Sequence, residues 1–411
     1  MGDEGSVSYT LDEALGAIGF GRFQLIVLAY AGLGWVAEAM EMMLLSFVGP
    51  AMKPEWGLSA SQESLISTVA FGGMLVGAYS WGRVSDAYGR KKGFLGASIL
   101  TTLAGFSCAF APNYISLLIL RCLVGAGLSC AHVFTSWFLE FVPIPNRGAW
   151  MVVFATFWTV GTIMEASLAW WIMPRYGWRW LLGLSAVPSL MLLLFFRLVP
   201  ESPRYLSTQG RLAEAQQILK HGAALNRKEL PVGLLVSDHI KTKTNDDNNE
   251  SLESKTSSSQ RSSSSLPGLG LAAILLDRVG RKISMVIMLV SGFVLLLPLI
   301  VHQNEVITTG SLFGSRMFIS ASFIIVLIYA PEVYPTNLRT TGVGIATAIG
   351  RTGGMVYPLI VVGMKAGCHQ TVPVILFEVT ILLCGLSVVI LPFETKGKEL
   401  TDTIDLPVQV K

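Results

Sequence analysis

Charged residues are scarce in this sequence. Only 14% of the 411 residues are Asp, Glu, Lys or Arg, whereas a soluble domain carries roughly 25%. With 52% hydrophobic residues and a mean hydropathy of +0.57, the chain has too few charges to cover a water-facing surface. The composition therefore excludes a disordered chain and predicts a protein that crosses a membrane several times.

Cysteines are also few, and their pattern excludes several kinds of site. The five cysteines are scattered and form no CxxC pair, so neither a metal site nor a disulfide framework is indicated. The first 22 residues are polar and acidic, whereas a cleavable signal peptide is basic and then apolar. No nucleotide-binding or hydrolase motif is present, so we expect no enzyme activity and no cofactor. A net charge of +3 gives no argument for a nucleic-acid partner.

Ten apolar runs are long enough to cross a bilayer, which takes about 20 residues. Six of them precede residue 200 and four follow residue 280. They are 24–48, 65–81, 93–110, 114–138, 149–172, 180–199, 284–301, 309–330, 342–364 and 372–391. Lys and Arg cluster in the loop after the second run and in the segment after the sixth. By the positive-inside rule, these loops and both termini face the cytoplasm.

The runs divide the chain into six segments. The membrane part has two halves joined by a polar middle, which contains an amphipathic stretch and then a Ser-rich linker expected to be disordered. The segments are a cytoplasmic N-terminus (1–22), a six-helix half (23–200), a cytoplasmic amphipathic-helix region (201–236), the linker (237–265), a truncated C-terminal half (266–393) and a cytoplasmic tail (394–411).

Three markers recur at an offset near 192 residues, each at a predicted cytoplasmic helix end. They are DAYGRK at 86–91 and DRVGRK at 277–282, EFVPIPNR at 140–147 and EVYPTNLR at 332–339, and PESP at 200–203 and PFET at 392–395. The chain is therefore a duplicated bundle. Only 11 apolar residues, 266–276, precede Asp277 in the second half, and as a helix they reach about 16 Å. Compared with the first half, one span and half of the next, roughly 50 residues, are missing.

At these markers the chain resembles the major facilitator superfamily. The segment from Gly82 to Lys91 is similar to the signature between helices 2 and 3 of that family, and Arg121-x-x-x-Gly125-x-Gly127 is similar to its helix 4 motif. The PESPR segment from Pro200 and the PFETKG segment from Pro392 resemble the ends of helices 6 and 12 in sugar and organic-ion porters.

A finer resemblance is to the plant-type organic cation/carnitine transporter group, close to nicotinate transporters and synaptic-vesicle-2-like proteins. It rests on WVAEAMEMM at 35–43 and APEVYP at 330–335. The resemblance implies an all-α membrane bundle of two pseudo-symmetric halves, the second lacking helix 7 and part of helix 8. It also implies transport by alternating access, with the substrate at the midplane.

Ionisable residues inside the runs are the candidate transport site, because each costs roughly 2.5–3.5 kcal/mol to insert. Glu38 and Glu41 share a helix face and are predicted to form a proton-titrating or cation-attracting pair. The alternative is that they are structural partners of an Arg. Arg121 is predicted to pair with one of them, with a static packing salt bridge as the alternative. The resemblance supports the first interpretation, because related porters place a proton-coupling acid here.

Other candidates lie on later helices. Glu165 shares a face with Trp158 and Thr162, which predicts a polar and aromatic wall for a ring or a quaternary ammonium group. Arg351, in a glycine-rich break, is the candidate for a substrate carboxylate, and Tyr357 shares its face loosely. His132 is interpreted as a core residue rather than a transport residue, and Arg316 matches Arg121 only approximately in the repeat.

Charged residues at the predicted cytoplasmic helix ends form a separate set with a gating role. The resemblance implies that they form ion-pair latches that close the inner gate without touching substrate. The set is Asp86, Arg90, Glu140, Arg147, Asp277, Arg281, Glu332 and Arg339.

These observations predict a secondary active transporter of small organic ions, either carnitine-like cations or nicotinate, with proton symport. Its expected partners are the substrate, a proton and the lipid bilayer, and its default oligomeric state is a monomer. The plasma membrane is the expected location, with the vacuolar membrane as the alternative. Two other functions stay open. One is a non-transporting truncated isoform or gene-model fragment, and the other is a sugar porter.

Overall fold

The computed structural model describes residues 8–144, 147–236, 279–300, 305–365, 371–391 and 394–395. The first half contains ten long or medium helices and one short one. They are α1 (Leu11–Ile18), α2 (Arg22–Trp56), α3 (Ala60–Tyr88), α4 (Arg90–Ala109), α5 (Tyr114–Leu128), α6 (Ala131–Leu139), α7 (Arg147–Tyr176), α8 (Trp178–Ser185), α9 (Val187–Leu194), α10 (Pro203–Thr208) and α11 (Leu212–Asn226). A parallel pair of two-residue strands, β1 (Ser8–Tyr9) and β2 (Leu234–Leu235), joins the two ends of this half.

The second half contributes four long helices to the described part of the chain. They are α12 (Arg281–Leu296), α13 (Glu305–Val333), α14 (Arg339–Lys365) and α15 (Thr371–Ile390). The predicted linker at 237–265, the short apolar run at 266–276 and Asp277 lie outside the described residues.

Each of the ten apolar runs coincides with one helix or with two consecutive helices. Within the residues that the structure describes, six helical segments are long and apolar enough to cross a membrane, and the α5–α6 pair, Tyr114–Leu139, is one of them. A turn at Ser129 and Cys130 separates α5 from α6, and the backbone N–H groups of both residues still donate to carbonyls of α5. No polar backbone group therefore has to face lipid at this turn.

Glycine positions let the helices of the first half approach closely. A Cβ atom on Gly125 of α5 would lie 2.1 Å from the carbonyl oxygen of Ala70 on α3, and one on Gly73 would lie 2.0 Å from that of Cys122. Only a hydrogen atom fits at such distances, which is the usual role of small residues between membrane helices.

The two halves meet along α3 and α14. The Thr340 hydroxyl, near the start of α14, donates a hydrogen bond to the carbonyl oxygen of Gly82 at 3.1 Å. Further along, a Cβ atom on Gly354 would lie 2.9 Å from the ring of Phe71. This contact begins at the end of the bundle that carries the basic loops, called the basic end below, and continues toward the middle of both helices.

A small cap covers the basic end of the first half. Helix α1 packs with α10 and α11 around a separate apolar core that includes Leu15, Leu206 and Leu219. Thr10 and Glu13 form a capping box that starts α1, with each side chain bonded to the backbone N–H of the other residue. The prediction of a simple N-terminus at residues 1–22 missed this helix. The Thr-x-x-Glu pattern ahead of a periodic apolar run was the available signal.

Candidate functional site

A buried carboxylate joins the two halves at the basic end. One oxygen of Glu140, which follows α6, accepts hydrogen bonds from Arg90 and from Arg339, each at 3.0 Å. Arg90 belongs to the first half and Arg339 to the second, and all three side chains have no exposed area. Glu140 is therefore one charge that bridges the halves.

A second bridge lies beside it. The Asp86 carboxylate pairs with Arg90 at 3.1 Å and accepts hydrogen bonds from the backbone N–H and the hydroxyl of Thr341, both at 2.7 Å. Arg90 also donates to the Thr336 carbonyl at 2.9 Å. These contacts join the two halves at the basic end. Because a gating role is predicted for this set of residues, the cluster is called the gate below.

The pKa values of Glu140 and of the neighbouring Glu201 are shifted in opposite directions. Burial raises the pKa of the Glu140 carboxyl, but the guanidinium groups of Arg90 and Arg339 outweigh burial, so the pKa lies below its ordinary value. Glu201 accepts hydrogen bonds from the backbone N–H groups of Arg90 and Lys91. Burial nevertheless leaves the pKa of Glu201 above its ordinary value. Glu201 therefore takes up a proton at a higher pH than Glu140 does.

The repeat marker of the second half forms a similar cluster within that half. Arg281 pairs with Glu332 at 3.4 Å, and the Arg281 backbone N–H donates to Glu394 at 2.7 Å. The first half has the equivalent arrangement with Arg90, Glu140 and Glu201. Arg147 does not join the gate bridge, because its guanidinium lies 3.9 Å from Asp12 of α1 and donates to the Val142 carbonyl. Asp12 also pairs with Arg204.

A further ion pair joins the halves deeper in the bundle. Arg351 of α14 donates to the Glu38 carboxylate of α2 at 2.5 Å. Arg351 lies 12 residues beyond Arg339 on the same helix, so the pair is about 18 Å from the gate. The Arg351 side chain is 19% exposed and that of Glu38 is 4% exposed. The residue predicted to bind a substrate carboxylate thus holds a carboxylate of the protein.

Glu41 has a different partner, within the first half. Arg121 of α5 donates to it at 2.9 Å and to the Cys108 sulfur at 3.2 Å. One Glu41 oxygen and one Arg121 nitrogen are buried with no hydrogen-bond partner. Glu38 and Glu41 therefore do not meet as one carboxylate pair. Each lies against a different guanidinium that offsets the cost of its burial, as the alternative of Arg partners predicts, and Arg121 pairs with one of the two as predicted.

Glu165 does not form the predicted wall with Trp158. Its carboxylate has no exposed area and accepts the Ser185 hydroxyl of α8, with oxygen distances of 2.8 and 2.9 Å. Trp158 packs edge-on against Trp35 of α2 at 5.7 Å between ring centroids, and the Thr162 hydroxyl donates to its own helix. Helical spacing puts Glu165 and Trp158 on one face, but a buried carboxylate needs a donor, and Ser185 supplies one.

His132 lies within electrostatic range of Arg351 in the deeper pair, and only a weak pattern in the sequence pointed to this position. Its Nδ1 is 2.6 Å from the Ser129 carbonyl, while its Nε2 is buried with no hydrogen-bond partner. A Cβ atom on Gly344 of α14 would lie 3.0 Å from that Nε2. The signal was a histidine three turns beyond Arg121. The Tyr357 side chain lies outside the described residues, and Arg316 is exposed without an ion pair in the described part.

The arrangement is chemically a set of paired charges inside an apolar bundle. One pair crosses between the halves, one lies within the first half, and a closed gate covers the basic end. No group of three His, Cys, Asp or Glu residues that could hold a metal occurs among the described residues. Such a set can exchange a partner with a charged solute without a net charge being left in the membrane, whereas a proton on one carboxylate leaves its guanidinium in need of another acceptor.

Comparisons with known proteins agree with this architecture. The profile of a family described as sugar (and other) transporter matches residues 29–264 and 269–404. The chain is 48% identical to the Arabidopsis thaliana protein named organic cation/carnitine transporter 7, over 98% of this chain and 97% of that protein. It is 33% identical to the synaptic vesicle 2-related protein of Xenopus laevis, over 96% of this chain and 83% of that protein.

Solved structures give the same fold. The proton:xylose symporter XylE of the major facilitator superfamily, bound to 6-bromo-6-deoxy-D-glucose, aligns with a TM-score of 0.70 and 18% identity, over 92% of this chain and 98% of that one. A partially occluded inward-open form of XylE from E. coli aligns with a TM-score of 0.65 and 17% identity, over 92% of this chain and 100% of that one.

The comparisons also bear on the missing segment. The family profile breaks between residues 264 and 269, at the end of the Ser-rich linker. The alignment with the Arabidopsis protein runs over 488 positions, and this chain has 411 residues. At least 77 of those positions therefore have no counterpart in this chain, which agrees with a second half that lacks helix 7 and part of helix 8.

Proposed function

The chain belongs to the sugar (and other) transporter family of the major facilitator superfamily, and on that premise we propose that it is a secondary active transporter of small organic ions. The proposed substrate is a zwitterion of the carnitine type, with nicotinate as the anionic alternative. The Arabidopsis relative is named for organic cation and carnitine transport. Membership of the family makes the chain a membrane transporter rather than an enzyme.

The Glu38–Arg351 pair is the observation that carries the proposal. It joins the two halves inside the membrane. Its positive Arg351 complements the carboxylate of a zwitterion, and its negative Glu38 complements the ammonium group. A substrate carboxylate would bind Arg351 while a quaternary ammonium group would bind Glu38. Such a substrate replaces each partner of the pair, so both protein charges stay compensated as the halves separate. A neutral sugar offers no such replacement.

Proton coupling is assigned to the Glu41–Arg121 pair. A proton on Glu41 removes the charge that holds Arg121, and Arg121 then needs another acceptor in the same bundle. Glu165 lies within electrostatic range of both residues and is the neighbouring carboxylate. Protonation of Glu41 would therefore change the packing between α2 and α5. In the proposed alternating-access cycle this change is coupled to the gate, whose bonds break when the cytoplasmic side opens and form again when it closes.

Uptake measurements test the substrate assignment. Cells expressing the chain would be given labelled carnitine, nicotinate and glucose, with surface amount measured in parallel. We expect carnitine uptake that falls at least tenfold in Glu38→Gln and Arg351→Gln, because each leaves a buried charge without its partner. Glu55→Gln is the matched control, because it breaks an exposed pair with Arg179 at the opposite end of the bundle. Unchanged uptake in both pair variants would refute the assignment.

A second candidate function is favoured by the missing segment. At least 77 aligned positions of a close relative are absent here, so a truncated isoform that does not transport by itself fits the same observations. Insertion of the relative's segment between residues 264 and 269 distinguishes the two. Uptake only after insertion supports the non-transporting form, and equal uptake with and without it supports the transporter. Glucose uptake without organic-ion uptake would indicate a sugar porter instead.

A further inference from the structure

An apolar groove lies on the outside of the first half, away from the paired charges. It has a volume of about 320 Å³ and lies between the first turns of α2, the end of α6 and the segment after α9. Ile26, Phe195 and Leu198 of its wall are 44%, 46% and 64% exposed. The groove therefore opens outward, and in a membrane its opening faces lipid.

The wall of the groove contains a polar group that has no partner. Trp137 has no exposed area, and its indole Nε1 has no hydrogen-bond acceptor. Tyr30 lines the same groove, but its hydroxyl donates to the Leu192 carbonyl at 3.0 Å. Buried N–H groups almost always have an acceptor. Trp137 is one of the residues that line the groove, but its indole nitrogen has no accessible area, so a ligand in the groove reaches it only when a neighbouring side chain moves aside.

Positive charge surrounds the mouth of the groove. Arg22 begins α2 one turn before Ile26, and Arg197 lies between Phe195 and Leu198 in the opposite wall. Both guanidinium groups are exposed and form no ion pair within the described residues. The Lys91 ammonium lies 4.9 Å from the ring centre of Phe196, beside the same wall. An anion at the mouth would therefore meet charges from both sides.

We propose that this groove binds an anionic phospholipid. One acyl chain fills the groove, the phosphate lies between Arg22 and Arg197, and an ester carbonyl accepts a hydrogen bond from the Trp137 indole once the side chains that cover the indole nitrogen move aside. Trp137 lies three residues before Glu140 of the gate, a depth at which lipid esters and aromatic side chains meet.

Native mass spectrometry of the full chain in mild detergent tests the headgroup. Phosphatidylglycerol and phosphatidylcholine with equal acyl chains would be added separately and the retained lipid counted. Each basic residue near an anionic surface contributes roughly a fivefold preference, so Arg22→Gln with Arg197→Gln should weaken phosphatidylglycerol binding about thirtyfold. Arg83→Gln with Arg175→Gln removes the same charge elsewhere on the surface and should leave it unchanged.

Two further variants test the groove and the indole. Ala29→Trp fills the groove and should abolish retention of both lipids. Trp137→Phe keeps the ring and removes the N–H, so it should weaken a diester lipid severalfold and leave a diether analogue unchanged. Two results would overturn the proposal. One is equal retention of phosphatidylglycerol and phosphatidylcholine that does not change in the Arg22→Gln, Arg197→Gln variant, and the other is retention of either lipid by Ala29→Trp. A monodisperse elution profile for each variant shows that the bundle is intact.

Discussion

Replacing Glu140 by Gln should weaken the closed gate. The carboxylate bridges Arg90 of one half and Arg339 of the other through a single oxygen, and the amide that replaces it has the same shape without the charge. Arg90 keeps the Asp86 carboxylate at 3.1 Å, and Arg339 keeps the Pro331 carbonyl at 2.9 Å. The substitution therefore weakens mainly the contact between the halves, and the stability of each half by itself changes less.

The size of the effect follows from that contact. A hydrogen bond to a charged group contributes about 1.5–3 kcal/mol, and a loss of about 2 kcal/mol changes the ratio of closed to open gate about thirtyfold. The Asp86 bridge to Thr341 remains and keeps the closed form the major one.

Cysteine accessibility measures this shift. Thr340 has no exposed area while its hydroxyl is bonded to Gly82, so a Thr340→Cys thiol is reached only when the gate opens. We expect a membrane-impermeant maleimide, added to inside-out vesicles, to label that thiol about thirtyfold faster in the Glu140→Gln background. Labelling of the chain without the added cysteine gives the background. Glu55→Gln is the control, and an equal rate in Glu140→Gln and its parent, or an equal increase in the control, would refute the reasoning.

Three further predictions concern the gate, the cap and the helix packing. The pKa of Glu140 lies below its ordinary value of 4.5, so its stabilising contribution is complete above that pH and is lost only as pH falls through the lowered value. Because a maleimide reacts with the thiolate, the rate itself changes with pH, but the ratio of Thr340→Cys labelling rates between Glu140→Gln and its parent should be the same at pH 8 and pH 6. Asp12→Asn leaves Arg204 buried without this carboxylate, which should destabilise the α1 cap by about 3 kcal/mol. Proteolysis of the N-terminus should then be faster, whereas Glu214→Gln, which changes an exposed residue, should alter the proteolysis rate little. Gly125→Ala places a methyl group 2.1 Å from the Ala70 carbonyl and should lower the melting temperature in detergent, whereas Gly350→Ala, with open space around it, should not.

Much of the fold follows from local sequence properties. Apolar runs, basic loops and a repeat near 192 residues predicted the helices, the two halves and the shortened second half, because bilayer thickness sets helix length directly. The family comparison and the fold agree with that prediction. Helix α1 was missed because its eight residues are amphipathic and too short for a spanning run, and its identity rests on a cap and on packing against α11.

The candidate site was only partly predictable. The sequence singled out Glu38, Glu41, Arg121 and Arg351, because a charge inside an apolar run is costly and needs a reason. It did not determine which charge meets which, since that depends on how α2, α5 and α14 are oriented about their axes. The two glutamates of α2 are one turn apart, yet one meets Arg351 and the other Arg121.

What the sequence determines by itself is therefore the membrane class, the duplicated architecture and the set of residues that need partners. The tertiary structure decided the pairing, the turn of Glu165 toward Ser185, the place of Arg147 in the cap and the unpaired Trp137 indole. Hydropathy and charge are properties of one continuous chain segment, so they can be predicted from the residues of that segment alone. Ion pairs and hydrogen bonds depend on distances of about 3 Å between side chains far apart in sequence, and only the packed helices set those distances.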